Sequence, residues 1–181
     1  MTAERLVQLV EATDTAIELL RHDPRAGAVT QPVLERLAQA IRCEWAAYWV
    51  LDPLSQQLQS LSIWSALGLK GQRFEQETRV RALSPNQDIV GQVWRSRIPI
   101  WTTNVVSDMC SWRSLDASVS GLRGGVWFAV KTDTVIYGVI ELLSRTMPYR
   151  TPESLAAVER VGFRLGYVIE ELRGEQRTRL H

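Results

Sequence analysis

Two apolar runs in the last third of the chain restrict its fold more than any other feature. Residues 125–131 (GVWFAVK) and 135–143 (VIYGVIELL) are rich in β-branched and aromatic side chains, and the turn Thr132, Asp133, Thr134 separates them. Such runs are too apolar for solvent, and they predict two strands at the centre of a sheet. Two more predicted strands, 47–51 and 58–64, flank the turn Asp52, Pro53, Leu54, Ser55 and read as a hairpin. A short strand is expected at 99–102.

Helices bracket these strands. Residues 4–21 place Leu6, Val10, Thr13, Ile17 and Leu20 at alternating steps of four and three, the spacing of an amphipathic helix with a near-heptad seam. A second helix is predicted from Pro32 through Ile41, with Thr30 or Gln31 as its cap. Residues 88–96 (DIVGQVWRS) form a short amphipathic helix. Residues 71–84 are polar and read equally as short helix or strand, and 103–120 as loop with a helical turn or two. A last helix starts at Thr151 and Pro152 and carries Leu155, Val158, Gly162, Leu165, Ile169 and Leu172 on one seam. The pattern predicts an α+β domain with a mostly antiparallel sheet and terminal helices on one face.

Composition removes several function classes. The 181 residues carry 21 basic and 20 acidic side chains, a formal net charge of +1, which gives no broad attraction to nucleic acid or anionic membranes. No stretch approaches the roughly 18 uninterrupted apolar residues of a membrane span. The first residues include Glu4, Glu11 and Asp14, so they do not read as a secretory signal. Two cysteines make no disulfide framework, and a cytoplasmic location is expected. With His22 and His181 the only histidines, metal or haem ligation has few candidates, and no metal site is expected.

The runs IVGQVWRSRIPIWTTNVVSD (89–108) and GLRGGVWFAVKTDTVIYGVIELLSR (121–145), in that order and spacing, resemble the GAF domain family. The features that carry the resemblance are Gly91 to Val93 on a helix, Arg97 to Ile100 entering a short strand, and a small-residue and arginine stretch before two hydrophobic strands. Residues 62–79 (SIWSALGLKGQRFEQETR) look like GAF segments of bacterial sensor kinases and cyclases. The resemblance implies a GAF-like domain at 31–172, with a helical flank at 1–30 and a polar tail or linker start at 173–181. It also implies about six antiparallel strands, N- and C-terminal helices on one face, and pocket loops on the other. Relatives bind cyclic nucleotides, bilins, haem, metal ions or oxoanions, so the resemblance leaves the ligand and any cofactor unknown.

Seven tryptophans crowd the chain. The resemblance places Trp112 in the loops that roof the pocket and Trp64, Trp94, Trp101 and Trp127 on or beside elements that border it. Their bland role is core filling; their functional one is to line a site for a flat, partly polar molecule. Cys110 stands where bilin-binding relatives carry their linking cysteine, but Ser111 follows in place of histidine. The Asn-Lys-x-x-x-Phe-Asp-Glu motif of cyclic-nucleotide binders is absent. Methionine-sulfoxide-reducing relatives use several pocket cysteines, whereas this chain has Cys43 and Cys110 alone, and no central histidine exists to serve a nucleophile. Catalysis is therefore not expected. Arg113 and Arg123 are candidate anchors for a carboxylate or oxoanion, and Arg123 equally suits a structural pairing with Asp108 or Asp116.

The end helices carry a candidate dimer seam of Leu6, Val10, Ile17 and Leu20 with Leu155, Val158, Gly162, Leu165, Ile169 and Leu172. Two readings follow. The first is a non-catalytic sensory module that binds an unidentified small molecule and regulates an output, such as a kinase or cyclase domain, through a homodimeric helical interface. The second is a ligand-free dimerisation module whose pocket is filled by its own aromatics. Cavity volume separates them.

Overall fold

The computed structural model describes residues 2–23, 27–109 and 111–179. The element order is α1 (Ala3–His22), α2 (Gln31–Ala40), β1 (Trp45–Leu51), β2 (Leu58–Ser65), a 3-10 turn (Gly68–Gly71), α3 (Gln72–Val80) and α4 (Asp88–Ser96). β3 (Ile100–Thr102), α5 (Val105–Asp108), α6 (Arg113–Val119), β4 (Gly124–Lys131), β5 (Ile136–Ser144) and α7 (Pro152–Arg179) follow. The strands form one antiparallel sheet in the order β2-β1-β5-β4-β3.

The two apolar runs are β4 and β5, and the sheet places β5 at its centre as their composition requires. Five strands are described where about six were expected. The missing edge is reduced to a single bridge, in which Leu83 and Leu58 exchange both backbone hydrogen bonds at 2.8 Å. Pro85 follows two residues later and lacks the N–H that a longer ladder needs. The undecided stretch 71–84 is mostly α3.

Side chains alternate across the sheet. Ala46 and Tyr48 of β1, Val126, Phe128 and Val130 of β4, and Ile140 and Leu142 of β5 face α1, α2 and α7. Trp45, Ala47, Trp49, Trp127, Ala129, Val139 and Leu143 face the opposite layer, built from α3, α4, α5 and α6.

The helical layer buries much of the proposed dimer seam within the chain. On α7, Val158, Gly162, Leu165, Ile169 and Leu172 are buried within the chain, and Leu155 packs half-buried on the same cluster. A Cβ at Gly162 would lie 2.0 Å from the Ala129 carbonyl oxygen, and one at Gly166 would lie 2.0 Å from that of Lys131. The glycines let α7 settle directly onto β4, so this seam is spent on the sheet. On α1 the inward stripe is Leu9, Thr13, Ala16 and Leu20. Leu6 and Ile17 are half-buried at its border, and Val10 is exposed. Small residues at 13 and 16 permit the close approach, which a reading by hydrophobicity passes over. Thr13 turns its hydroxyl back onto the Leu9 carbonyl at 2.6 Å and so buries no orphaned polar atom.

α1 and α7 run parallel. Arg164 of α7 donates to Asp14 of α1 at 2.7 Å, and seven residues on in both helices Arg21 pairs with Glu171 at 2.9 Å. The segment read as a flank therefore belongs to the helical layer. α7 remains helical through most of the polar tail, a solvated extension that leaves the sheet after Leu172. Its start is fixed by reciprocal bonds: the Ser154 N–H donates to the Thr151 hydroxyl at 3.1 Å and the Thr151 N–H to the Ser154 hydroxyl at 2.9 Å.

Candidate functional site

At the middle of the face opposite the terminal helices, β5 places Glu141 among apolar side chains. Its cross-strand neighbours are Ala47 on β1 and Trp127 on β4. The indole N–H groups of Trp45 and Trp127 donate to the two carboxylate oxygens at 2.9 and 2.7 Å. The alanines at 47 and 129 leave volume above the sheet, and a side chain from the covering layer fills it.

That side chain is Arg113, the first residue of α6. Its guanidinium grips Glu141 with both terminal nitrogens, Nη1 to Oε2 at 2.7 Å and Nη2 to Oε1 at 2.5 Å. The paired fork geometry explains an arginine here rather than a lysine. The guanidinium carbon lies over the rings of Trp49 and Phe74, 4.9 Å from each centroid. Trp45 and Phe74 are themselves tilted against one another at 4.5 Å. Arg113, Glu141, Trp45, Trp49, Trp127 and Phe74 all have a relative exposure of 0%.

A second carboxylate closes the cluster. Asp88, at the start of α4, is buried with φ of 62°, a left-handed conformation that favours glycine. Its Oδ1 accepts the Ile89 N–H at 2.6 Å and its Oδ2 the Ser111 hydroxyl at 2.5 Å. Oδ2 also stands 3.8 Å from Arg113 Nη1, so one buried guanidinium faces two carboxylates. Burial alone pushes the Glu141 carboxyl up, but the charge and hydrogen bonds of Arg113, with those of the indoles, hold it below the usual range. Burial likewise works against the Arg113 cation, and the attraction of Glu141 more than offsets it. Three buried polar atoms have no hydrogen-bond partner among the described residues: Trp49 Nε1, Thr78 Oγ1 and Arg113 Nε. All three belong to residues of one layer: the Arg113 guanidinium lies over the Trp49 and Phe74 rings, Thr78 follows Phe74 by one helical turn, and Ser60, the cross-strand partner of Trp49, donates to the Thr78 carbonyl at 2.9 Å.

The expected pocket residues divide. Arg113 and Trp127 are at the centre, and Trp94 and Trp112 are half-buried against the same cluster, with Arg81 over the Trp112 ring at 5.0 Å. Trp64 and Trp101 lie on the other face. Trp64 is paired with Ala46 and Trp101 with Val126, and cross-strand partners share a face, so both indoles pack toward the terminal helices. Trp101 Nε1 donates to the Pro148 carbonyl at 2.8 Å. Arg123 is exposed and outside the cluster. Its guanidinium bonds the carbonyls of Ser118 and Leu122 at the end of α6, and Asp116 pairs instead with Arg73 at 3.1 Å. Cys110 lies outside the described residues. Cys43 is buried on the terminal-helix side, where desolvation pushes its thiol far above the usual range. Glu141, Trp45, Trp49, Phe74 and Asp88 had not been singled out. Glu141 was signalled by being the lone charge inside the run VIYGVIELL.

No protein-family model matches the chain, and no curated protein does. Solved structures do. The GAF domain of a phosphoenolpyruvate-protein phosphotransferase from Coxiella burnetii aligns with a TM-score of 0.72, over 94% of this chain and 98% of that one, at 12% identity. The second GAF domain of DevS from Mycobacterium smegmatis aligns at 0.61, over 92% and 99%, with 13% identity. The fold is that of a GAF domain. The free methionine-R-sulfoxide reductase from Neisseria meningitidis, solved with its substrate, also aligns, at 0.71 over 97% and 96% with 13% identity. Identities this low speak for the fold alone. Within this GAF fold Trp45, Trp49, Trp127, Phe74 and the buried Asp88 gather on the sheet face that the resemblance assigns to the pocket, and there Arg113 stands over Glu141.

Proposed function

We propose that this chain is a non-catalytic, regulatory GAF module described here in a closed state, its pocket occupied by its own Arg113. The observation that carries the reading is the origin of the two partners. Glu141 belongs to the central strand, whereas Arg113 rides on a helix of seven residues that packs on α3, α5 and the 3-10 turn. An occupant attached that way can leave without unravelling the sheet. A small molecule that displaces it would shift α6, and the change would pass to an attached output through the parallel α1–α7 pair. The burial of Cys43 on the opposite face supports a non-catalytic role. The reading includes self-association through Val7 and Val10, which α1 leaves exposed.

A second reading is a structural module whose pocket is permanently filled, favoured by the complete burial of the Arg113 cluster. Native-state hydrogen exchange of the ligand-free protein separates the two. If the module is regulatory, amides 113–119 exchange through an opening of lower free energy than that of β4 and β5. Exchange of α6 only with global unfolding favours the permanent filling, and an α6 with no protection at all contradicts the closed state.

A further inference from the structure

Arg113 occupies a site whose chemistry is complete without it. Remove its guanidinium and there remain a carboxylate oriented by two indole N–H groups, the faces of Trp49 and Phe74, and a second carboxylate, Asp88, 3.8 Å from where Arg113 Nη1 stood. Ring faces attract cations, most strongly where water is excluded, and a desolvated carboxylate demands a positive partner. The arrangement is thus selective for a planar or compact organic cation and hostile to an anion.

Arg113 itself satisfies the site incompletely. Its Nε–H and the Trp49 indole N–H are both buried donors without an acceptor among the described residues. A fully optimised internal salt bridge leaves no such donors. A ligand cation without a buried, unpaired N–H would remove at least the Arg113 Nε orphan from the site.

We propose that Glu141, flanked by Trp45, Trp127, Trp49 and Phe74, is a binding site for a small guanidinium or ammonium compound, and that such a ligand replaces Arg113 and expels α6. The inference rests on the closed-pocket reading and names the ligand class for it. Exchange of cation for cation keeps the buried charge balance unchanged, so the ligand's differential affinity acts on the position of α6 rather than on neutralising Glu141.

The test uses methylguanidinium chloride as probe and N-methylurea, nearly the same size and shape but uncharged, as control. In the Arg113→Met variant, whose side chain keeps apolar bulk but vacates the carboxylate, calorimetry is expected to show the cation binding about tenfold or more tightly than the urea. Adding Glu141→Gln to that variant is expected to abolish the preference. In the wild-type protein the cation, and not the urea, is expected to raise hydrogen exchange at 113–119 across a concentration series while β4 and β5 stay protected. That wild-type arm stands should the variant not fold. Equal binding of both probes, or wild-type exchange in α6 unchanged by the cation, overturns the inference. If α6 opens sub-globally without ligand yet ignores the cation, the regulatory reading survives and the cation assignment alone fails. If α6 exchanges only with global unfolding, both fall.

Discussion

On one face of the sheet, Ala46, Val126, Phe128, Ile140 and Leu142 lie under α1, α2 and α7 in an interior made almost wholly of aliphatic and aromatic carbon. On the other, three of the tryptophans surround a buried arginine and two buried carboxylates, and each of the three unpartnered buried polar atoms found among the described residues sits there. The same strands supply both faces, one residue out of step. The contrast separates a face filled for packing from one filled by a charged cluster. Close-packed hydrocarbon is the cheaper way to fill a core, and a desolvated ion pair often contributes no more than apolar residues of the same volume. Fully buried charges and orphaned polar atoms gather on one face, as the proposed recognition site requires, while the other face, among the described residues, carries only Lys131 at its border, paired with Glu159 at 2.9 Å.

Substitutions on each face give this contrast a scale. Glu141→Ala strands the Arg113 cation between aromatic rings, and urea denaturation is expected to show a loss of about 3–5 kcal/mol, the largest single effect. Leu165→Ala, fully buried where α7 meets the sheet, is expected to cost about 3 kcal/mol by transfer and cavity terms alone. A Glu141 effect no larger than that of a surface acid would erase the difference between the faces.

Acid sharpens the comparison further. Because the folded Glu141 carboxyl is held below its usual range, the unfolded chain binds its proton more readily. The contribution is fully present above about pH 4.3, the ordinary glutamate value, and is lost as pH falls toward the folded-state value. Wild type is expected to lose stability through that window, and the double variant Arg113→Met, Glu141→Gln to lose less. The smallest effect belongs to the helical layer's surface: Glu171→Ala, removing the half-exposed partner of Arg21, is expected to change stability by less than about 0.5 kcal/mol.

Much of the architecture was legible from periodicity. The near-heptad spacing, the proline starts and the β-branched runs located most elements, since these signals are local. The tertiary choices were not. The α7 seam has the spacing of a helix–helix contact, but spacing is silent on whether a strand or a helix lies opposite, and Gly162 and Gly166 serve a strand. Trp64 and Trp101 read as pocket tryptophans because their face depends on cross-strand register, which is set by partners distant in sequence. Arg113 and Arg123 read alike as anion anchors for the same reason. Each stands beside an element end, and only the fold aims one inward. Glu141 hid in plain view, a single charge in an apolar strand, its partner 28 residues away.

The most direct test of the account is a double-mutant cycle between Arg113→Met and Glu141→Gln, read by urea denaturation. A buried pair that closes the pocket predicts that each single change is costly and that the double variant loses about 2–3 kcal/mol less than the sum of the two single losses. Single effects that add to within about 0.5 kcal/mol would mean that the two side chains do not meet in solution, and the closed pocket would have to be abandoned.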